Sequence, residues 1–380
     1  MSEAERMLNL AARLAVRAAG DVEPNPLVGA VLVRDGEAIG MGHHRRFGGR
    51  HAEIEAIENC RERGGNPRGA TLYVTLEPCA HEGQQPPCTD AIVGAGIVHV
   101  VFAREDPHAA AQGGAAVLQA AGVTAERCDQ SEAATRVSDP FVKRVTTGLP
   151  WVIVKWAQTI DGRIATRTGE SKWISGPASR NRVHRLRGRV DAVLTGLGTV
   201  LADDPLLTSR TARRVRRAAR RVVADPGLEI PLDAAVVRTA REVAAVVACD
   251  ASILSSGVCE EKVARLRAAG VEVIGVPEAR GPGGLVGVDI AGLLRELVVR
   301  YEATNVLVEA GAGFVGSVIE ADLADQLVVY VAPLLLGDEM AKAVAAGRVV
   351  SSLTAGKRYE LRRMKRVGED VELVYGRVGG

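Results

Sequence analysis

The segment from His51 to Cys88 constrains this chain more tightly than any other. It presents His51-Ala52-Glu53, then Thr75-Leu76-Glu77-Pro78-Cys79, then eight residues, then Cys88. One imidazole and two thiols are the ligand set of a zinc site that keeps its fourth position for water. To form it, the start of a helix at 52–63, the end of a strand at 71–76 and the start of a helix at 88–95 must meet at one point. The residues between the cysteines, with Gly83, Pro86 and Pro87 among them, are rich in turn formers. A loop of that size can return the second thiolate to a tetrahedral centre. A thiol at a helix N-terminus has a lowered pKa, which is expected of Cys88. His81 is read as facing the loop or a substrate.

Glu53 supplies what a zinc-bound water needs, a carboxylate to carry its proton. Histidine-x-glutamate, then proline-cysteine and a further cysteine, is the pattern of the zinc deaminases, in which the glutamate is not a ligand. The competing reading is two buried free cysteines beside a surface histidine. The strand-Pro-Cys context weighs against it.

Composition narrows the setting. The 380 residues, 47% hydrophobic and 25% charged, suffice for two cores. A net charge of +2 gives no global field to recruit nucleic acid or an anionic membrane. Six cysteines without a signal-peptide pattern suggest a reducing, cytoplasmic setting with Cys60, Cys128, Cys249 and Cys259 as free thiols. The run from Leu327 to Leu336 is short of a membrane span and contains Pro333.

From the start, residues 3–19 read as an amphipathic helix, followed by a turn at Pro24-Asn25-Pro26. A strand at 30–33 passes through the Asp35-Gly36 turn into a strand at 38–42. A strand at 97–102, a helix at 114–121 and a short strand near 123 complete an alternating α/β pattern that implies a layered α/β domain. Ser138-Asp139-Pro140 and Gly148-Leu149-Pro150 interrupt this pattern. The domains are therefore placed at 1–147 and 148–380.

Beyond the seam, a strand at 151–156 leads to the loop 159–163. Ser175-Gly176-Pro177 reads as a helix start, Ser175 capping and Pro177 in the first turn. The helix at 178–188 carries Arg180, Arg182, Arg185 and Arg187. A strand at 191–195 enters a glycine loop, Gly196 to Thr199. Residues 210–221 hold seven arginines in twelve positions. They read as a solvated basic loop, with Arg210 turned inward to a phosphate, in preference to a nucleic-acid arm. Gly311 to Gly316 matches G-x-G-x-x-G after a strand at 305–309. A Rossmann site needs a following strand ending in an acidic residue. The strand from Leu327 to Val331 runs instead into Ala332-Pro333. The glycines are read as a phosphate cradle at a helix N-terminus in a non-Rossmann domain.

The stretches PNPLVGAVLV, HAEIEA, TLYVTLEPCAHEGQQPPCTDAI and DPHAAAQGG, in this order, resemble the deaminase half of the bifunctional riboflavin-biosynthesis deaminase–reductases. VKWAQTIDGRIA, GESKWISG, LTGLGTVLADDPLLTSR and VEAGAG resemble the reductase half. The resemblance implies a cytidine-deaminase-like three-layer α/β/α domain followed by a dihydrofolate-reductase-like α/β domain. It implies one zinc held by His51, Cys79 and Cys88, Glu53 as proton carrier, and NADPH as hydride donor. The substrate would be a diaminopyrimidinone bearing a ribosylamine phosphate, contacted by Asn25 and by His43 or His44. In the reductase half, Lys155 and Glu309 match positions of proton transfer or orientation. Ser171, Arg187, Leu207, Arg210 and Glu309 match substrate positions. Ala157, Trp173, Thr199, Asp203, Gly311, Gly313 and Ser317 match cofactor positions. A homo-oligomer acting on a small molecule, with neither nucleic acid nor membrane as partner, is expected.

Three departures from the family pattern bear on substrate detail. Gln84 stands where Arg or Lys is usual, His108 follows Asp106-Pro107 in place of Asn, and Pro226 replaces a serine after Asp225. They leave open a paralogue acting on a related pyrimidine or pterin precursor. A nucleic-acid-editing deaminase would have no use for residues 311–316, and a decayed non-catalytic partner would not keep all three ligands and Glu53.

Overall fold

The computed structural model describes residues 1–82, 85–108, 113–211, 215–281, 284 and 286–378, and the elements below are those of these residues. The chain divides into two compact units, Met1–Leu149 and Pro150–Gly380.

The first unit runs α1 (Glu3–Ala15), β1 (Gly29–Arg34), β2 (Glu37–His43), α2 (Ala52–Glu62), β3 (Thr71–Val74), α3 (Cys88–Gly94), β4 (His99–Phe102), α4 (Gly114–Ala120), β5 (Thr124–Arg127), α5 (Glu132–Arg136) and α6 (Asp139–Thr147). Its sheet has the order β2-β1-β3-β4-β5. Strand side chains alternate between faces, and the sequence uses both. Ala30, Leu32, Leu72, Val74, Val100 and Phe102 pack on α2, α3 and α4. Val31, Val33, Tyr73 and Val101 pack on α1 and Ala134 of α5. Apolar residues on both faces of the strands give the three-layer α/β/α arrangement.

Two differences from the sequence reading lie here. The first helix ends at Ala15 and continues as a short 3-10 turn, Val16–Ala18. Ser138-Asp139-Pro140 starts α6 instead of breaking the pattern, because proline in a first helical turn forfeits no intrahelical bond.

The second unit runs β6 (Trp151–Gln158), β7 (Arg163–Ala165), α7 (Pro177–Arg187), β8 (Ala192–Gly196), α8 (Leu197–Asp203), β9 (Arg220–Ala224), α9 (Ala235–Arg238), β10 (Ala245–Asp250), α10 (Ala251–Ser256), α11 (Glu260–Ala268), β11 (Val271–Val276), β12 (Glu278–Arg280), β13 (Val286–Val288), α12 (Ile290–Tyr301), β14 (Asn305–Val308), α13 (Ala312–Glu320), β15 (Gln326–Val331), β16 (Lys342–Ala343), β17 (Tyr359–Val367) and β18 (Asp370–Arg377). A nine-stranded sheet has the order β11-β10-β9-β8-β14-β6-β15-β18-β17. Strands from β11 to β15 are parallel, and β18 and β17 close the edge as an antiparallel pair. The chain leaves β6 towards one edge, returns to insert β14 beside it, and then adds β15 on its other side. Such a reversal opens a crevice at the carboxyl ends of the central strands. Strand β15 leads into the antiparallel pair, so the glycine motif does not open a Rossmann half.

Helix α7 begins differently from expectation. Gly176, not Ser175, is its N-cap, and no side chain of its own caps it. The Asp370 carboxylate does so from β18, accepting from Gly176 N at 2.8 Å and Ser179 Oγ at 2.5 Å. Residues 197–199 are the first turn of α8, not a loop. The basic run is only partly a solvated loop. Its last two residues open β9, where Arg221 is fully buried and donates to Thr239 Oγ1, Thr239 O and Val243 O. Arg220 stacks over Tyr301, and Arg217 pairs with Asp191. Thus Arg221 of this run is turned into the core, where burial lowers its pKa, while Arg210 lines a cavity of the second unit. Among the described residues no helix is long and apolar enough to cross a membrane.

Candidate active sites

In the first unit, helix α2 carries the histidine. It rides directly on β2, where an added Cβ at Gly42 would stand 2.4 Å from Ala52 O, so only glycine permits this seat. His51 is the N-cap of α2, and Cys88 is the first residue of α3. Thr89 N donates to Cys79 O at 3.3 Å, tying the two cysteine segments together. Gly114 lets the start of α4 close on Pro78, whose carbonyl oxygen would stand 1.8 Å from an added Cβ.

The ligand atoms of His51, Cys79 and Cys88 lie within 4.8 Å of one another. His51 Nδ1 is 3.2 Å from Cys88 Sγ and 3.5 Å from Cys79 Sγ. A tetrahedral centre with bonds of about 2.0 Å to nitrogen and 2.3 Å to sulfur sets such pairs about 3.5 Å apart. The residues therefore fit zinc. The thiol pKa values run against the helix-terminus expectation. A hydrogen bond with Cys88 draws the Cys79 thiol down to about 4 despite burial. Cys88 is pushed well up by that same bond and by its own burial.

Glu53, in the first turn of α2, is 4% exposed. Burial raises its carboxyl pKa, with His51 pulling the other way. Asn25 Nδ2 lies 3.1 Å from His44 Nε2, and His44 Nδ1 lies 2.9 Å from Arg50 O. Since a carbonyl only accepts, Nδ1 carries the His44 proton and Nε2 accepts from Asn25. This bond turns the Asn25 amide and leaves its oxygen available. Of the two histidines left open by the sequence, His44 is the one joined to Asn25; its ring meets that of His51 edge-on at 5.4 Å. His81 Nδ1 is buried without a hydrogen-bond partner among the described residues. Gln84 lies outside the described residues. His108 N donates to Asp106 Oδ1 at 2.9 Å, so this departure sits in a closed turn.

In the second unit, one cavity of about 1350 Å³ is lined by every residue that the family resemblance assigned to proton transfer, substrate or cofactor in the reductase half. Its floor holds a charge cluster. Arg187, at the end of α7, donates through Nε and Nη2 to Glu309 Oε1 and Oε2 at 2.6 and 2.9 Å. Lys155 Nζ, on β6, stands 3.5 Å from Oε2. Burial would raise the Glu309 pKa, but Arg187 and Lys155 outweigh it and hold the carboxyl at about 2. The Arg187 fork is therefore engaged by protein, which differs from a free phosphate reader. Leu207 packs its side chain in the core, has φ of 54° and borders the cavity. Arg210 is exposed at the wall, and its N–H approaches His184 Nδ1 at 3.3 Å.

Towards the cofactor positions, Thr199 Oγ1 accepts from Gly311 N at 3.0 Å, joining α8 to the N-cap of α13. Gly311 faces an open gap, in which an added Cβ would approach Thr199 only to 3.8 Å. Bare backbone at the start of α13 suits phosphate oxygens. Ser317 Oγ donates to Gly313 O at 3.1 Å. Trp173 is 69% exposed beside Ala157 and Ser171 on the cavity wall, and Arg180 stacks 4.6 Å from its ring. Asp203 is held by Lys172 at 3.4 Å. These features fit a dinucleotide lying across the strand ends. The sequence reading missed His184 and Lys172. His184 stands one helical turn before Arg187, and that spacing was a usable signal.

Comparison with known proteins follows the same division. The model of the RibD C-terminal domain matches residues 150–373, and that of the cytidine and deoxycytidylate deaminase zinc-binding region matches residues 1–104. The riboflavin biosynthesis protein RibD of Actinobacillus pleuropneumoniae is 36% identical over 363 residues, covering 95% of this chain and 92% of the relative. The RibD structure of Acinetobacter baumannii (form 1) is 32% identical, covers 98% of each chain and has a TM-score of 0.81. The diaminohydroxyphosphoribosylaminopyrimidine deaminase/5-amino-6-(5-phosphoribosylamino)uracil reductase structure of Thermotoga maritima is 30% identical, covers 99% of each chain and also has a TM-score of 0.81.

Proposed function

The chain belongs to the RibD family of riboflavin-biosynthesis deaminase–reductases, and from that premise we propose how its own residues divide the work. The protein is an enzyme with two activities, a zinc-dependent deaminase and an NADPH-dependent reductase acting on a small pyrimidine phosphate. We assign hydrolytic deamination of a diaminopyrimidinone bearing ribosylamine 5′-phosphate to the first unit. We assign reduction of its ribosyl group to ribityl to the second.

Zinc, when bound, supplies a water acidic enough to attack near neutrality. Glu53 takes the proton of that water and hands it to the departing ammonia. Its burial suits both duties, since a raised pKa makes it a better base and a ready acid. Asn25, turned by His44, offers its amide oxygen to donors on the pyrimidine.

NADPH, when bound, supplies the hydride for C1 of the ribosyl group. That carbon accepts hydride only as an imine or iminium, so an acid must open the ring. Glu309, held at about 2, has no proton to give at neutral pH. Lys155 is therefore the donor, and Glu309 orients it at 3.5 Å. Once Lys155 has given its proton, Arg187 and Glu309 balance, and no excess charge opposes the cationic carbon. Arg210, exposed at the wall, is free to meet the phosphate. Ser171 and Leu207 border the same space.

The observation that carries the reading is the pairing of a complete His-Cys-Cys-Glu set with the Lys155–Glu309–Arg187 cluster in one chain. The test is to supply each substrate separately. Cys79→Ser abolishes metal content and deamination while reduction of already deaminated substrate continues. We further take the protein to act as a homo-oligomer in the cytoplasm, which light scattering and cell fractionation test.

A further inference from the structure

The reductase cavity extends well past the reacting groups. Ala157 on β6 and Ala224 at the end of β9 both line it, with β14 and β8 between them. Three strand spacings make a wall about 14 Å long, the reach of an extended dinucleotide from nicotinamide to adenosine. The α13 N-terminus lies between these ends, where a pyrophosphate belongs. The far end is roofed by the β12–β13 hairpin, which follows the edge strand β11 and packs β13 against β10.

At that end the wall offers a phosphate little. Ala224 has no polar side chain, and Pro226 has neither a hydroxyl nor an N–H. The Asp225 carboxylate is turned into its own loop, accepting from Glu229 N at 2.9 Å and Ile230 N at 2.7 Å. Asp289 caps α12, accepting from Ala291 N at 3.0 Å. The cavity's other cations are placed elsewhere: Arg187 and Lys155 on Glu309, Lys172 on Asp203, Arg180 on Trp173, Arg210 beside His184 and Lys342 beside Gly169. Arg280, the last residue of β12, lines the cavity, is exposed, and has no side-chain partner among the described residues.

Resting on the reductase reading above, we infer that Arg280 binds the adenosine 2′-phosphate and so sets the preference for NADPH over NADH. A guanidinium fork matches a phosphate with two parallel hydrogen bonds. Its exposure suits a doubly charged group that stays partly hydrated at the cavity mouth. The site replaces the contact that Pro226 cannot make.

The test is a calorimetric titration of the full-length parent, Arg280→Ala and Arg280→Lys with NADPH, NADH, 2′,5′-ADP and 5′-ADP. Arg280→Ala is expected to weaken NADPH and 2′,5′-ADP by about tenfold to a hundredfold, with NADH and 5′-ADP bound as in the parent. Arg280→Lys, which keeps the charge without the fork, retains part of the preference. Equal weakening of NADPH and NADH, or an unchanged preference, overturns the inference. A parent that binds neither dinucleotide overturns the reductase reading beneath it as well.

Discussion

Arg187 and Glu309 form a two-pronged ion pair, Nε to Oε1 at 2.6 Å and Nη2 to Oε2 at 2.9 Å, with both side chains largely buried. The pair fixes the protonation state of the reductase floor. A carboxylate gripped this way is a permanent anion at working pH, which leaves proton transfer to Lys155.

The first prediction follows from that anion. Glu309→Gln leaves Arg187 and Lys155 without their counter-charge, a loss of about 3–5 kcal/mol for a buried pair. A glutamate held at about 2 when folded and near 4.3 when unfolded contributes stability that is complete above pH ~4.5. That contribution disappears as pH falls through the folded value. Urea denaturation at several pH values is expected to show the parent–variant gap widest near neutrality and narrowing below pH ~4.5. A gap that does not change with pH speaks against the ion pair.

The second prediction separates anchoring from chemistry. Arg210→Ala removes a charge-assisted contact and is expected to raise the KM for the phosphorylated substrate by about tenfold to a hundredfold. Lys155→Ala lowers kcat, because it removes the proton donor. Arg187→Ala joins Lys155→Ala in lowering kcat, since its fork holds Glu309. A dephosphorylated substrate is the check. If Arg210→Ala harms it as much as the phosphorylated one, Arg210 does not read the phosphate.

The third prediction concerns Glu53→Gln. Zinc content is expected to stay at about one per chain, while deamination falls by a factor of at least about a hundred. Metal analysis and ammonia release measure the two separately. Zinc lost along with activity would make Glu53 a ligand or a structural support.

The deaminase centre was legible because its information is local. His51, Glu53, Cys79 and Cys88 lie within one short stretch; His51, Glu53 and Cys88 stand at helix starts, and Cys79 lies in the loop that follows β3. The reductase floor was less so. Lys155, Arg187 and Glu309 come from β6, α7 and the end of β14, far apart in the chain, and only the family resemblance pointed to them. Nothing in the sequence shows that Arg187 forks onto Glu309. The Asp370 cap on α7 was hidden for the same reason, as a carboxylate on β18 does a task usually done by a neighbour. Arg221 misled because a run of arginines reads as surface, yet the carbonyls of Thr239 and Val243 and the Thr239 hydroxyl make its burial tolerable.

The fourth prediction tests the division of the chain. Residues 1–149 are expected to fold alone and keep zinc, and residues 150–380 to bind NADPH without it. Ending the first fragment at 147 removes Gly148, the left-handed cap whose N–H closes α6 on Arg144 O at 3.0 Å. Its melting temperature is expected to fall below that of 1–149. Equal melting temperatures would mean that α6 adds nothing to the first unit's stability.

The most direct measurement is product mass from the purified protein and the diaminopyrimidinone ribosylamine phosphate, with and without NADPH. Without NADPH, the product is expected to have exchanged one amino group for oxygen. With NADPH, it also gains two hydrogens. Unchanged substrate in the absence of NADPH, or reduction of the ribosyl group with the amino group retained, would contradict the assignment of two successive activities to this chain.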